Sequence, residues 1–412
     1  MADAPVAGRL ASAVLEPLFG PTDIPDRHRV RAAVAGAPAE IARGRRPSPI
    51  PIVQNLRHEL QQWREADYFG VSETTRQLLS HWFTRDHIVV GEDDTTRAFG
   101  YYFCQREAIE ALIYLYEVCD VRTLSGLVAR FSGDEDDTGA QRRALGVSPD
   151  DDLWAKYAFK MATGSGKTKV MSLAIVWSYF HYHRESNSSL TQKFLLLAPG
   201  LTVFERLKED FRPEGGGPNI FDRDPLIPEE WRGDWHMSVV LQDEPAVPTS
   251  GGVLYLTNIH RLFETKVRRA RDGEMYGWVG PEVEKSKALA DPIAKLRERV
   301  AAHRNVMVLN DEAHHVWDPG SAWNQAIRAL YDSTTERRGS LVAQLDFSAT
   351  PKDDKGQLFM HIVCDTPLGE AVDAGIVKTP IIGHGDNLVT QVHSNAAYQY
   401  EHHLLVSCTG DS

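Results

Sequence analysis

The sequence has few cysteines, no long apolar run and no excess of positive charge. Its four cysteines are scattered and form no Cys-x-x-Cys pair, which argues against a disulfide framework or a zinc site and favours a reducing compartment. No apolar run approaches the roughly 20 residues that a membrane-spanning helix needs. Residues 1–20 also lack the apolar core of a signal peptide. We therefore expect a cytoplasmic chain that does not enter a membrane.

The formal net charge is −12, which is the wrong sign for a protein that holds nucleic acid by bulk electrostatics. Local basic patches and main-chain N–H groups at helix N-termini can still hold phosphates. One small basic cluster, Arg43, Arg45 and Arg46, precedes a proline-rich stretch at 47–51. A solvated loop explains that cluster at least as well as a nucleic-acid contact does. The charge thus argues against a passive DNA-binding module.

The chain has 412 residues, of which 42% are hydrophobic and 25% are charged, as expected for a globular protein of two or three domains. Apolar residues recur at helical spacing over residues 52–118. Residues 131–152 are acidic and poor in apolar residues, which predicts a mobile insertion. From residue 157 onward, short apolar strands alternate with helices. This pattern predicts an α/β fold with a mostly parallel sheet covered by helices.

A phosphate-binding loop is predicted where the apolar strand at 157–159 ends and a helix begins. Glycines at 164 and 166 let backbone N–H groups approach a phosphate, and the helix N-terminus favours an anion. Lys167 can reach the β- and γ-phosphates of a nucleotide, and the Thr168 hydroxyl can hold Mg²⁺. Met161 stands where the generic motif has a further glycine, so a chance Gly-Lys-Thr is the alternative. The candidate nucleotide-binding residues here are Thr163, Gly164, Ser165, Gly166, Lys167 and Thr168.

Two adjacent carboxylates, Asp311 and Glu312, follow the apolar strand at 306–309. Asp311 is suited to binding Mg²⁺, directly or through water, because that ion takes oxygen ligands. Glu312 is suited to orienting and deprotonating the water that attacks a phosphate. His314 could couple this site to a neighbouring motif. The alternative is that the two carboxylates only cap the next helix.

Polar residues also follow the strand at 342–347. Ser348, Ala349 and Thr350 stand there, and the two hydroxyls could bond the acidic pair and relay the state of the nucleotide. An ordinary Ser/Thr turn before proline is the alternative. Upstream of the phosphate loop, the amide of Gln105 both donates and accepts, so it could read an adenine edge. A surface glutamine on an amphipathic helix is the other interpretation.

Two further strand ends, at 198–200 and 256–258, lead into stretches with small polar residues, which suit a nucleic-acid phosphate. A basic patch follows the second of them in an otherwise acidic chain. A solvated helix face explains this patch about as well as a nucleic-acid contact. Its members are Arg261, Lys266, Arg268, Arg269 and Arg271.

The order of these motifs resembles that of superfamily 2 helicases. Residues 162–168 resemble motif I, 198–204 motif Ia, 256–261 motif Ib, 311–314 the DEAH form of motif II, and 348–350 motif III. Gln105 resembles the glutamine of the upstream adenine-reading motif. Among relatives, residues 105–109, 310–314 and 368–372 are most similar to the ATP-dependent motor subunit of type III restriction endonucleases.

This resemblance implies a RecA-like fold with ATP and Mg²⁺ as ligands and double-stranded DNA as the track. It also admits a methyltransferase or specificity subunit as partner. It implies that Asp311 holds the metal through water, that Glu312 acts as the base, and that Ser348 and Thr350 couple the ATP state to DNA. The residues it assigns to ATP·Mg²⁺ are Gly164, Gly166, Lys167 and Thr168.

Such motors use a second RecA-like domain, and nothing after Pro380 resembles one. We therefore expect a truncated form with a mostly helical region at 1–98, a first RecA-like domain at 99–380 and an irregular tail at 381–412. The function expected is that of a DNA-dependent ATPase and translocase of the restriction type, impaired by truncation. The alternatives are a catalytically weak ATP- and DNA-binding module that acts with a partner, and a P-loop ATPase unrelated to nucleic acid.

Overall fold

The computed structural model describes residues 15–379 with gaps at 31–38, 91–94, 134–137, 243, 245–250, 259–295, 297, 316–321 and 353–355. The predicted tail at 381–412 and the basic patch at 261–271 lie outside the described residues. The chain divides into two units, one of residues 47–367 and the other of residues 1–46 with 368–412. The helical residues 51–83 belong to the same unit as the sheet. The predicted domain boundaries stay a prediction.

The strands in the described residues run from β1 to β11 in chain order. They are β1 (Arg27–Val30), β2 (Glu40–Arg43), β3 (His87–Val90), β4 (Thr96–Phe99), β5 (Lys156–Met161), β6 (Lys193–Ala198), β7 (Met237–Leu241), β8 (Gly252–Asn258), β9 (Asn305–Asp311), β10 (Ser340–Ser348) and β11 (Ile362–Thr366).

The α-helices that lie wholly within the described residues are numbered α1 to α10 in chain order. They are α1 (Pro51–Glu65), α2 (Glu73–Phe83), α3 (Phe103–Ile113), α4 (Leu124–Phe131), α5 (Thr138–Leu145), α6 (Lys167–Arg184), α7 (Leu201–Phe211), α8 (Ile220–Arg223), α9 (Ala322–Glu336) and α10 (Leu368–Asp373). A π-helical turn, Tyr114–Val118, continues α3, and residues 298–301 are helical before β9.

A seven-stranded sheet with flanking helices forms the larger unit, in the order β11-β5-β10-β9-β6-β8-β7. Every neighbouring pair in it is parallel. The strands are apolar along nearly their whole length because helices cover a parallel sheet. In register between β5 and β10, Phe159 and Phe347 stack with ring centroids 4.7 Å apart. The predicted α/β, RecA-like fold class is confirmed.

This strand order decides which loops meet. β10 lies between β5 and β9, so the carboxyl ends of these three strands are neighbours at one edge of the sheet. Phe347 is in register with Asp311 on one side, and Ser348 with Lys160 on the other. Ligands of open α/β sheets bind at this edge. The predicted phosphate loop, acidic pair and Ser-Ala-Thr turn therefore lie close together.

The strands predicted at 157–159, 306–309 and 342–347 match β5, β9 and β10 to within about two residues at each end. Other strands were missed. The edge strand β11 pairs with β5 but is only five residues long and contains Asp365. The antiparallel pair β3–β4 interrupts the region that was predicted as helical.

Buried ion pairs tie the N-terminal helices of this unit together. Glu110 on α3 is fully buried and contacts Arg106 at 2.8 Å and Tyr68 Oη at 2.6 Å. Glu107 on the same helix contacts Arg57 of α1 at 3.2 Å. A buried carboxylate needs such partners. The helical N-terminal region is therefore part of the core and not an appendage.

The acidic stretch 131–152, predicted as a mobile insertion, contains α5 and a 3₁₀ turn at Pro149–Asp151. Asp152 accepts a 2.8 Å hydrogen bond from the Ser125 backbone N–H in the first turn of α4. Asp150 pairs with Arg328 of α9 at 3.1 Å. These two carboxylates thus have structural partners.

In the smaller unit, arginines near the β1–β2 hairpin pair with carboxylates of α10. Arg29 and Arg46 contact Asp373 at 2.6 and 3.4 Å, and Arg45 contacts Glu370 at 2.7 Å. Both carboxylates are almost fully buried. Two of the three clustered arginines therefore stabilise this unit, a role that neither sequence interpretation had given them. None of the helices in the described ranges combines the length and apolarity needed to cross a bilayer.

Candidate functional site

The loop after β5 has the shape that a phosphate cradle needs. Gly164 and Gly166 both have φ near +83°, a conformation that residues with a side chain rarely adopt. Ser165 closes the turn, because its N–H and its hydroxyl both donate to the Ala162 carbonyl, at 3.1 and 2.7 Å. Thr163 and Gly164 are exposed at the crest. Backbone N–H groups and the start of α6 thus converge on an accessible point.

Gln105 braces this loop. It is 1% exposed, accepts from the Tyr102 N–H at 3.0 Å and donates from Nε2 to the Ser165 carbonyl at 3.0 Å. A Cβ placed on Gly166 would lie 2.3 Å from Gln105 Nε2. Gly166 is therefore required both by its φ and by its contact with the glutamine. Reading of an adenine edge by Gln105 stays a prediction.

The acidic pair stands at the end of β9, facing the loop. Asp311 is fully buried, and the next residue, Glu312, has φ +48° and donates its N–H to Asp311 Oδ1 at 3.0 Å. Glu312 Oε1 lies 3.0 Å from Lys167 Nζ. The structure therefore brings together the lysine of the loop and the carboxylate that follows β9, which are 145 positions apart in the sequence.

The electrostatics of the pair are asymmetric. Burial raises the pKa of Asp311, and the negative charge of Glu312 adds to the rise. Lys167 and Arg206 oppose that rise in the pKa. Arg206 Nη2 lies 2.6 Å from Asp311 Oδ2, an ion pair that sequence analysis missed. No motif marked Arg206, because it lies mid-helix on α7.

The predicted coupling residues form a short polar chain. His314 Nδ1 shares a 3.0 Å hydrogen bond with Ser348 Oγ and lies 3.6 Å from Glu312 Oε2. The backbone N–H of Thr350 donates to Ser348 Oγ at 3.0 Å. Ser348 is buried, Ala349 is half-buried and Thr350 is exposed. His314 and Ser348 thus link β10 to the acidic pair, while Thr350 takes part through its backbone.

A second polar network lies one residue back along the same strands. Asp346 of β10 accepts from Asn310 Nδ2 at 2.6 Å and from Gln344 Nε2 at 3.0 Å. His361 Nε2 lies 2.8 Å from its other oxygen. All four residues are buried. Sequence analysis missed this network, although the interruption of an apolar strand by Gln344 and Asp346 was a usable signal.

One residue of the β3–β4 hairpin, Phe99, lies near the first turn of α6. Lys169, in the first turn of α6, forms an ion pair with Asp224. Its Nζ also lies 5.1 Å from the centre of the Phe99 ring, which contacts Tyr101 edge-on. An aromatic ring and a flexible lysine beside the loop suit the flat face of a base.

The residues present fit a magnesium–nucleotide complex. Thr168, half-buried in the first turn of α6, and Asp311 at the end of β9 both supply oxygen, the donor that Mg²⁺ prefers. The 3.0 Å contact between Lys167 and Glu312 shows that the two segments converge. Within the described ranges, no three His, Cys, Asp or Glu side chains cluster to hold a metal.

The site lies within a region of the chain that a protein-family model matches. The model of the family described as type III restriction enzyme, res subunit, matches residues 101–353, which is more than half of the chain. The matched range contains Gln105, the phosphate loop, the acidic pair and the Ser-Ala-Thr turn. A search among curated proteins found no match.

Proposed function

The chain belongs to the family of type III restriction enzyme res subunits, and on that premise we propose that it is an ATP-hydrolysing motor of superfamily 2 that acts on double-stranded DNA. The observation that carries the proposal is the 3.0 Å contact between Lys167 and Glu312. It joins a phosphate cradle to an acidic pair in the arrangement that phosphoryl transfer to water requires. In this proposal Asp311 to His314 act as a DEAH-type motif II.

The proposed roles follow from the positions of the groups. Backbone N–H groups of residues 163–168 bind phosphate oxygens, and Lys167 leaves Glu312 to pair with them. Glu312 is then free to orient water and accept its proton. Thr168 and Asp311 are the residues that would hold Mg²⁺, which supplies positive charge next to the phosphate that is transferred.

Coupling to DNA is proposed to run through the His314–Ser348 bond. His314 lies near Glu312 on one side, and Ser348 ends β10 on the other. A change in the position of Glu312 on nucleotide binding would shift that bond and with it the turn at 349–350. We further propose a cytoplasmic location. We also propose a methyltransferase or specificity subunit as partner, and co-purification would test this partner.

The test is ATP hydrolysis by the purified chain, with and without double-stranded DNA. We expect hydrolysis that DNA stimulates and that Lys167→Ala lowers by at least about 100-fold. Lys208→Ala is the matched control. Lys208 lies on α7 and pairs with Glu214, an exposed residue that follows the helix. It should leave the rate unchanged.

Three results would contradict parts of this proposal. Failure of the wild-type chain to bind ATP would remove the nucleotide site. Hydrolysis that ignores DNA would favour a P-loop ATPase unrelated to nucleic acid. Binding that Lys167→Ala abolishes, without any turnover, would favour a catalytically weak ATP- and DNA-binding module.

A further inference from the structure

Two cations neutralise the acidic pair, and the second of them has no place in the roles given so far. Lys167 contacts Glu312, and Arg206 contacts Asp311. Lys167 belongs to the phosphate loop, so its move to a nucleotide is expected. Arg206 belongs to α7, the helix that follows β6. In the sheet, β6 lies on one side of β9, and β10 and β5 lie on the other.

Both oxygens of Asp311 are engaged. Oδ1 accepts from the Glu312 N–H at 3.0 Å, and Oδ2 accepts from Arg206 Nη2 at 2.6 Å. The Asp311 side chain is 1% exposed and lies beside a second carboxylate. A carboxylate buried in this way needs a charged or hydrogen-bonding partner. Arg206 is such a partner, and it occupies Asp311 Oδ2, an oxygen that Asp311 would need in order to bind a metal.

The two ends of this ion pair differ in burial. The Arg206 side chain is 52% exposed, whereas that of Asp311 is almost wholly buried. The Arg206 guanidinium can therefore turn into water and stay solvated, whereas the buried Asp311 carboxylate needs another cation in its place. Phe204, Leu207 and Phe211 hold the opposite side of α7 in the core. The exchange thus needs only side-chain motion.

We propose that Arg206 is the counter-ion of Asp311 in the nucleotide-free protein and gives up Asp311 Oδ2 when magnesium–ATP binds. Arg206 is in this view a positioning residue: it orients the carboxylate, and it sets the affinity for the metal by competing for the same oxygen. The inference rests on the proposed function, because it assumes that Asp311 is a metal ligand.

The experiment measures binding of a non-hydrolysable ATP analogue by calorimetry, once with Mg²⁺ and once with a chelator. The readout is the dissociation constant measured with the chelator divided by the dissociation constant measured with Mg²⁺. This ratio reports how much the metal strengthens binding. Arg206→Gln should increase that ratio roughly fivefold, since a half-exposed ion pair contributes up to about 1 kcal/mol. Binding without Mg²⁺ should change less than about twofold, because the pair then stays closed.

Two further variants separate this role from a merely structural one. Arg206→Lys keeps the charge on a shorter side chain and should give a ratio between those of the wild type and Arg206→Gln. Lys208→Gln, which removes a surface ion pair of the same helix, should leave the ratio unchanged. If Arg206→Gln does not fold, the comparison of Arg206→Lys with the wild type still carries the test.

An unchanged ratio in Arg206→Gln would overturn the inference and leave Arg206 as a surface ion pair. A smaller ratio would also overturn it, because Arg206 would then contribute to binding of the metal complex. Both results leave the proposed function intact as long as Lys167→Ala abolishes binding. A wild-type chain that binds no nucleotide under either condition would overturn the proposed function and this inference with it.

Discussion

Asp311 and Asp346 lie on neighbouring strands, both buried, and the structure holds them in different ways. Asp311 ends β9 and is neutralised by Arg206, whose side chain is 52% exposed. Asp346 lies inside β10 and is held by the buried side chains of Asn310, Gln344 and His361. The first carboxylate has a partner that can leave, and the second has partners that cannot. The proposed exchange of partners at Asp311 would thus take place next to a buried network that connects β9 and β10.

The largest expected effect is at Glu312, the neighbour of Asp311 in the candidate site. Glu312→Gln keeps the shape of the side chain but removes the proposed base, so we expect the rate of ATP hydrolysis to fall roughly 10²–10⁴-fold. Binding of ATP should persist, because the loop and Lys167 remain. Steady-state hydrolysis and calorimetric binding measure the two quantities. Loss of binding together with activity would show that Glu312 holds the site together instead.

Asp346 should matter for stability where Asp311 does not. Asp346→Ala leaves three buried donors without their acceptor, so we expect the free energy of unfolding to fall by about 3 kcal/mol. Asp311→Asn removes a buried charge that burial disfavours, so the nucleotide-free protein should change by less than about 1 kcal/mol. Urea titrations of both variants make the comparison. Equal losses would mean that the two carboxylates play the same structural part.

The phosphate loop offers a finer test of fixed contacts. Gly166→Ala adds a Cβ 2.3 Å from Gln105 Nε2 at a φ of +83°, whereas Gly215 has φ +77° with open space around it. We expect Gly215→Ala to destabilise the protein by about 1 kcal/mol and Gly166→Ala by at least about 2 kcal/mol. Thermal unfolding measures these losses, and the control adds Gly166→Ala to Gln105→Ala. Without the Gln105 side chain, Gly166→Ala should cost no more than Gly215→Ala does. An unchanged cost would show that the added Cβ clashes with another group.

The smallest expected effect is on pH dependence. Because the pKa of Asp311 is raised on folding, its protonated form is favoured in the folded chain. The stability from this group is therefore present below its ordinary pKa of 3.8 and decreases as the pH rises through the folded value. The free energy of unfolding of the wild type, minus that of Asp311→Asn, should decrease over this range. An increase would show that the cations outweigh burial.

The residues that could be predicted from sequence are those whose chemistry is local. The phosphate loop and the acidic pair are contiguous stretches at strand ends, so their order along the chain was enough to expect that Lys167 and Glu312 would meet. Arg206 is 105 positions from Asp311 and belongs to no short motif, so only the strand order reveals the pair. The partners of Asp346 depend in the same way on register between β9 and β10.

The same reasoning explains the arginines at 45 and 46. Their partners, Glu370 and Asp373, are more than 320 positions away, so the sequence offered only a local choice between solvent and nucleic acid. Gln105 is an intermediate case. Its place upstream of the loop was recognised, but its contact with the Ser165 carbonyl depends on how α3 packs against the loop.

The structure of the chain with magnesium and a non-hydrolysable ATP analogue tests the central claim most directly. We expect the analogue's phosphates in the loop at 163–168, Lys167 moved from Glu312 to those phosphates, and Arg206 moved away from Asp311. Density for the analogue at another place, or at the loop with Lys167 still on Glu312, would contradict the account.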